Sequence, residues 1–422
     1  LDQLPGLEKL SQLTTLDLSR CTGLTTLPDG LRNLKNLRIL DLRYLTLQTL
    51  PDWLPEIAES FSMAFSTEAG QHKAAINLCL TTVADIPDMS IFDQPYEVVA
   101  EFFRNRSLGK TRALNEIKVV FLGDGEAGKS HTIARLMNDG GEPKDYQDQA
   151  TPGIVIKRKN YTHNDRTFQV NYWDFGGQEI MHSMHRIFLT GRTMYVILLN
   201  ARDDTQSDRA RYWLHNVRSF APDAPVLLVL NKIDQNPKAS VNEHELREMY
   251  PGLTEIVSMS ALRDDRETFN STFTAALKRQ IGAFETLESP FLPSWNRLKN
   301  RLRNMMKPYI LSPEYHQISE ECGVEADEET RTALLNWFTD LGVSFCYSGS
   351  AKLEDYVILR PDWITNAIYA VLFNKRDKVK NGLIDLAEMF RLLNSNETRK
   401  TFPDIPYEWG DMNYILDVVR KF

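Results

Sequence analysis

The 422-residue sequence has no apolar run approaching the length of a membrane span, which excludes a helical integral membrane segment in the residues given. Cysteine is scarce: the four residues Cys21, Cys79, Cys322 and Cys346 are scattered, with no C-x-x-C pair. That excludes a cysteine zinc site and a disulfide framework and fits a reducing, cytoplasmic setting. Positive charge is not in excess, since 49 basic residues face 57 acidic ones for a net charge of −8 and a pI near 5.6. General affinity for nucleic acid or anionic lipid is therefore not expected. No protein-kinase motif occurs. An initiating methionine is also missing: Leu1 opens the chain inside a repeat, so residues upstream are expected and a signal peptide cannot be judged.

The chain exceeds the size at which one core normally serves, so two or three domains are expected, and its 25% charged and 42% apolar residues are ordinary for a soluble globular protein. Its most informative stretch is Val119-Val120-Phe121-Leu122-Gly123-Asp124-Gly125-Glu126-Ala127-Gly128-Lys129-Ser130, followed by the helical run Ile133 to Met137. An apolar strand running through G-x-x-x-x-G-K-S into a helix is the context a phosphate-binding loop requires. A diphosphate must be held by many backbone N–H groups at once, from Asp124 through Ser130 and His131 here, and glycine lets the main chain approach closely. Lys129 would reach the outer phosphates as a point charge, and Ser130 would place its hydroxyl on magnesium. The helix N-terminus adds a favourable dipole for the anion.

From Leu4 to Pro51 the sequence repeats itself. Leu13-x-x-Leu16-x-Leu18 with Leu24 and Leu27-Pro28 recurs as Leu37-x-x-Leu40-x-Leu42 with Leu47 and Leu50-Pro51, a period of roughly 23 residues within the leucine-rich-repeat range. Proline recurring after leucine argues against an amphipathic helix. Each repeat is expected to give one short strand with its leucines stacked against the next coil. A weaker copy, Ile76-x-Leu78-x-Leu80 with Val83 and Ile86-Pro87, follows an insertion and is expected to be the terminal coil. Pro95 to Phe103 reads as a helix and Arg104 to Glu116 as a basic linker.

Beyond Ser130, Asn138 to Ala150 is polar and reads as a mobile loop ending at Thr151-Pro152-Gly153. Thr151 would lend its hydroxyl to magnesium only when a third phosphate is present. The strand-like Phe168 to Trp173 delivers Asp174-Phe175-Gly176-Gly177-Gln178. In such a D-x-x-G motif the aspartate holds magnesium and the Gly177 N–H senses the γ-phosphate. The apolar run Pro225 to Leu230 reads as a buried parallel strand ending in Asn231-Lys232-Ile233-Asp234. The Asp234 carboxylate would accept from N1–H and the 2-amino group of guanine, whereas adenine offers an acceptor at N1 and no 2-amino group. Ile256 to Leu262 reads as a further strand, with the Ser260-Ala261-Leu262 backbone on the base oxygen.

With these elements placed, residues 117 to about 280 resemble the Roc domain, a Ras-like GTPase module, and the run Trp173 to His182, continuing through Phe188-Leu189-Thr190 to Leu199, is similar to bacterial Roco proteins. The repeats before it and the Pro293-Ser294-Trp295 segment after it match the Roco order of repeats, Roc, then COR. The resemblance implies a multidomain α/β chain: the end of a leucine-rich-repeat solenoid (1–92), a linker helix (93–116), a Ras-like P-loop GTPase domain (117–283) and a winged-helix-like first half of COR (284–422). For the last, helices are expected over Trp295 to Tyr309, Glu314 to Cys322 and Glu328 to Leu341, then a hairpin from Val343 to Tyr347 and Tyr356 to Leu359, and a helix beginning at Pro361. DNA binding by that unit is disfavoured by the acidic chain.

The implied function is a GTP-binding and GTP-hydrolysing switch that uses magnesium. Gln178 sits where Ras-like enzymes orient water, although Roco proteins vary there; Lys129 and Gly177 would complete the catalytic set. Arg186, Arg192 and Arg209 are the candidates for transition-state charge. The implied partners are guanine nucleotide, proteins bound through the repeats and COR, and a second copy of the chain in a nucleotide-dependent oligomer. A scaffold that binds nucleotide with negligible hydrolysis is the alternative.

Overall fold

The computed structural model describes residues 10–60, 62–67, 75–83, 86, 89–93, 96–107, 112–143, 151, 153–163, 166–176, 188–202, 205–283, 290–324, 328–346, 353, 355–373, 385–396, 398 and 407–421. The chain divides into two compact units, one of Leu1–Asn115, Glu285–Asn300 and His316–Leu334, the other of Glu116–Phe284, Arg301–Tyr315 and Leu335–Phe422.

In the first unit the strands β1 (Thr15–Asp17), β2 (Ile39–Asp41), β3 (Thr46–Leu47), β4 (Ala64–Ser66), β5 (Ala75–Asn77) and β6 (Thr82–Val83) are short and parallel. They form one sheet ordered β1-β2-β5-β4 and a smaller pair β3-β6. The period is visible in three dimensions: Leu16 faces Leu40, and Leu40 faces Ile76. Leu31, Leu34, Leu37, Leu40 and Leu42 are fully buried. Three of the strands end in the same turn. Asp17, Asp41 and Asn77 end their strands and accept the N–H two residues on, at 2.8, 3.1 and 3.1 Å. The residue directly after that donor, Arg20, Tyr44 or Leu80, then takes a left-handed φ of 59°, 61° or 54°. The insertion contributes the helix Leu54–Ser60 and strand β4, which pairs on the outer side of β5, so the weaker third copy is not the sheet edge. The linker helix spans Tyr96–Ser107, longer than its pattern suggested.

The second unit is built on a six-stranded sheet. Its strands are β8 (Glu116–Leu122), β9 (Ile154–His163), β10 (Arg166–Phe175), β11 (Thr193–Asn200), β12 (Val226–Asn231) and β13 (Leu253–Met259), β7 being the short Arg112–Ala113. The order is β13-β12-β11-β8-β10-β9, parallel except for the β9-β10 hairpin. Strands β8, β11 and β12 read as continuous apolar runs because parallel strands are covered on both faces. Helices Lys129–Met137, Gln206–Phe220 and Glu243–Met249 connect them, and a last helical stretch runs from Arg266 to Gly282 with a π-turn at Asn270–Thr274. The carboxyl ends of β8, β10 and β12 deliver Gly123, Asp174 and Asn231, where open α/β sheets place ligands.

Three local expectations need correcting. The helix from Pro293 stops at Arg303, because Tyr309–Leu311 instead forms a strand paired antiparallel with Tyr356–Ile358. Val343 to Tyr347 contributes only the bridge Phe345↔Ile358 among its described residues, so the hairpin's second partner comes from earlier in the chain. The last strand of the sheet is Leu253–Met259, ending before Ser260. The helix Pro361–Phe373 begins at its proline, whose missing N–H costs nothing in a first turn. No described helix is long and apolar enough to cross a membrane.

Candidate nucleotide site

The turn after β8 is strained in a way that prepares it for an anion. Glu126 has φ 60° and Gly128 φ 93°, and a Cβ on Gly128 would lie 2.3 Å from the Asn231 side-chain nitrogen, so only glycine fits there. Lys129 follows as the first residue of its helix and is 5% exposed. Its ammonium folds back to donate to the Gly123 and Asp124 carbonyls at 2.8 and 2.9 Å, across the concavity of the loop. Burial holds its pKa down, to about 8, with Asp174 and Asp124 pulling the other way.

Three oxygens line up beside it. The Ser130 and Thr151 hydroxyls are 2.7 Å apart, and the Thr151 hydroxyl donates to Asp174 Oδ2 at 3.3 Å. Burial pushes the Asp174 carboxyl above its ordinary value, against hydrogen bonding from Ser130 and the Lys129 charge, and its Oδ1 is buried without a hydrogen-bond partner. An oxygen-only set with one unsatisfied carboxylate oxygen fits a hard cation such as magnesium.

Asn231 joins three loops. Its Nδ2 donates to the Ala127 carbonyl at 2.8 Å, and its Oδ1 accepts from Lys232 N at 2.9 Å and Ala261 N at 2.8 Å. The phosphate loop, the N-K-x-D turn and the Ser-Ala turn are therefore held at fixed distances by one amide. Asp234 is exposed and accepts from the Ser260 hydroxyl at 2.6 Å, which aims its carboxylate. Leu262 is 57% exposed beyond them. His131 lies 3.9 Å from the Glu142 carboxylate.

One functional residue was invisible in the sequence. Arg135, fully buried on the helix after the phosphate loop, donates to the carbonyls of Gly140, Ala261, Asp264 and Asp265 and lies 4.2 Å over the Phe269 ring. It ties the Ser-Ala turn to the helix that carries Lys129. A lone arginine on an amphipathic helix gives no signal, because its carbonyl partners lie up to 130 residues away.

Of the arginine candidates, Arg209 reaches Asp124 in the phosphate loop at 3.2 Å; Arg202, which was not one of them, reaches Glu126 at 3.4 Å. Arg192 lies 4.8 Å over the Trp337 ring and near Asp340. Arg186, Gly177 and Gln178 lie outside the described residues, as does most of Asn138 to Ala150.

Segments from the C-terminal part of the chain meet this site within the same unit. A Cβ on Gly153, whose φ is 63°, would lie 2.6 Å from Asn366 Oδ1 and 2.8 Å from Thr365 Oγ1 of the helix Pro361–Phe373. Gly153 in turn accepts the Gly176 N–H at 2.9 Å, joining the ends of β9 and β10. Within the same unit Lys118, 1% exposed, donates to the Phe188 carbonyl at 2.7 Å and lies 4.6 Å over the Trp173 ring. Burial drops its pKa from 10.5 to about 7, despite Asp340 raising it. The unfolded chain thus binds more protons than the folded one between about pH 7 and 10.5, and stability should rise with pH across that window, by at most about 1.4 kcal/mol per unit. Urea unfolding of the native chain and of Lys118→Met from pH 7 to 10 checks this; the rise should be smaller in the variant, and equal slopes would refute the assignment.

Fold and site together define a Ras-like P-loop domain of the GTPase class. The family profile described as "Ras of Complex, Roc, domain of DAPkinase" matches residues 118–234, and that described as "C-terminal of Roc, COR-A domain" matches residues 293–422. A solved structure of Methanosarcina barkeri Roco2 RocCORdC bound to GDP is 34% identical, covering 74% of this chain and 92% of that one with a TM-score of 0.65. The chain belongs to the Roco family of Roc-COR proteins. It is also 26% identical over 284 residues to a Roc-COR-CHAT protease of Runella zeae, covering 61% of this chain and 30% of that protein. The human Rab-like protein 2B is 30% identical over 126 residues, 30% of this chain and 54% of that protein. The chain thus spans less than two thirds of these two relatives.

Proposed function

We propose that the chain binds guanine nucleotide and hydrolyses GTP to GDP and phosphate. The observation that carries this reading is the Asn231 amide holding the phosphate loop, the N-K-x-D turn and the Ser-Ala turn together, because base and phosphate recognition then share one rigid frame. The GDP in the Roco2 structure supports it. Backbone N–H groups from Asp124 to His131 would hold the phosphates, and Lys129 would leave its two carbonyls to offset charge on the β- and γ-phosphates. Asp234 and Lys232 would read and cover the base, with Ser260, Ala261 and Leu262 on its oxygen. Magnesium, when bound, supplies charge neutralisation to the phosphates, and Ser130, Thr151 and Asp174 would hold it. Gly177 and Gln178 keep the roles their motif implies, sensing the γ-phosphate and orienting water. A single-turnover phosphate-release assay with GTP and magnesium tests the reading; nucleotide binding without release would leave the scaffold alternative in its place.

Arg209 is the described candidate for transition-state charge that reaches the phosphate loop. Its pair with Asp124 is partly exposed, with side-chain exposures of 43% and 28%, so the pair itself contributes little. Arg209→Ala should weaken GDP by no more than about tenfold by this route. A much larger loss confined to the hydrolysis rate would instead mark Arg209 as the finger.

The modules proposed are repeats over 1–92, a linker over 93–116, Roc over 117–283 and the first half of COR over 284–422. The in-register parallel strands β1, β2 and β5 support the repeats. The order helix, strand, helix, helix, bridge, strand from Pro293 to Ile358 supports a winged-helix-like unit. Nucleotide state is proposed to alter the packing of these modules, with the contacts of Gly153 to Thr365 and Asn366 as the nearest route. Hydrogen exchange on the GDP form and on a form with a non-hydrolysable GTP analogue tests this. Changes confined to the switch segments, with none in 1–116 or 284–422, would end the coupled reading.

A further inference from the structure

A cavity of about 350 Å³ opens on the second unit between the end of the phosphate-loop helix, strand β9 and the π-turn at Asn270–Thr274. Its wall carries Lys159, Arg266 and Lys278 against a single carboxylate, Asp139. Basic side chains at a surface usually mean no more than solvation, but two observations set this place apart.

The first is charge. Lys159 is already matched, bonding the Asp139 carboxylate at 2.5 Å and the Leu136 carbonyl at 2.6 Å. Arg266 uses Nε on the Asp139 carbonyl, and Lys278 lies 5.6 Å over the Tyr161 ring, so two positive charges stay uncompensated. The second is shape. The volume falls in the range of small-molecule clefts, larger than a bare anion needs, and Leu136, Ala275 and the Tyr161 ring give it apolar wall. A π-turn in such a wall is itself a feature frequent at functional sites.

We propose that this cavity is a second ligand site, separate from the nucleotide site, that takes a small organic phosphate. Arg266 and Lys278 meet the phosphate dianion, and the organic part lies against Tyr161 and Leu136. The backbone behind it is shared with the nucleotide site: the Gly140 carbonyl, in the cavity wall, accepts from Arg135, which also holds Ala261.

Calorimetric titration of phenyl phosphate into the full chain, with and without saturating GDP, tests the proposal. Expected is saturable binding at one site in both conditions, weakened at least tenfold in Lys278→Gln and in Arg266→Gln, and retained in Lys129→Ala. That last variant separates the cavity from the phosphate loop, so the proposal can hold even if the nucleotide reading fails. Inorganic phosphate should bind more weakly than phenyl phosphate. Co-sedimentation of the native chain, but not the Lys278 variant, with phosphatidylcholine vesicles containing a phosphatidylinositol phosphate would identify a lipid headgroup as the source of the phosphate; no co-sedimentation would identify a free metabolite. Absence of saturable binding, displacement by GDP, indifference to both charge variants, or benzoate binding as tightly as phenyl phosphate would each overturn it.

Discussion

Asp234→Asn should turn a guanine site into a xanthine site. On the proposed reading the carboxylate accepts two hydrogen bonds from the base edge, and the Ser260 hydroxyl at 2.6 Å fixes which way it points. An amide in its place presents an NH₂ group to the guanine 2-amino group, a donor facing a donor, while the 2-oxo group of xanthine becomes a partner. Sites that read polar edges this way discriminate by roughly 10⁴ or more, since the wrong base leaves a buried group unpaired. Competition of GDP and XDP for the native and variant chains measures the exchange. Equal affinity of the native chain for adenine and guanine nucleotides would end the claim at once.

Arg135→Met should cost about 3–5 kcal/mol of stability and at least tenfold in GDP affinity. Methionine matches the length of the stem and its apolar contact with Phe269, but four carbonyls lose their donor. Two of them, on Asp264 and Asp265, cap the turn that presents Ser260 and Ala261, so the base-binding loop should loosen along with the fold. Arg135→Lys should fall between, because a single ammonium cannot span the fork that a planar guanidinium reaches. Urea unfolding with parallel GDP titration checks both. A loss below about 1 kcal/mol would mean that the carbonyls find other donors and that Arg135 is filler.

How far the sequence could be read follows from what each signal depends on. Strands β8 and β12 were legible because burial on both faces removes every polar residue except those with a task. Lys118 is the exception inside β8, and its pattern could not reveal that it bonds the Phe188 carbonyl 70 residues away. The phosphate loop and the Asn231 to Asp234 turn were legible because their backbone needs and side-chain needs coincide in a few consecutive positions. Arg135, the π-turn and the strand Tyr309–Leu311 were not. Each depends on partners brought together only by the sheet, and local propensity for helix or strand is overridden there by what packs alongside. Likewise the partners of the Asn231 amide, the Ala127 carbonyl and the Lys232 and Ala261 N–H groups, lie on three separate turns that the motif alone does not bring together.

The β9-β10 hairpin limits how the site can move. Ten residue pairs, from Arg166↔His163 to Phe175↔Ile154, are in unbroken register, and β10 is matched again to β8 over six pairs. Sliding by one residue would exchange Val170 and Tyr172 with Asn171 and Trp173, which are buried on the opposite face, and undo both ladders together. The hairpin is therefore a stiff plank, unable to creep along its neighbours. Rearrangement has to be absorbed at its open end, where Thr151, Gly153 and Gly176 meet, and the opposite tip near His163 can shift only as far as the plank tilts. Amide exchange should show the same profile, slow and even along the hairpin's length, with any sensitivity to bound nucleotide concentrated in the last residues before and after that end.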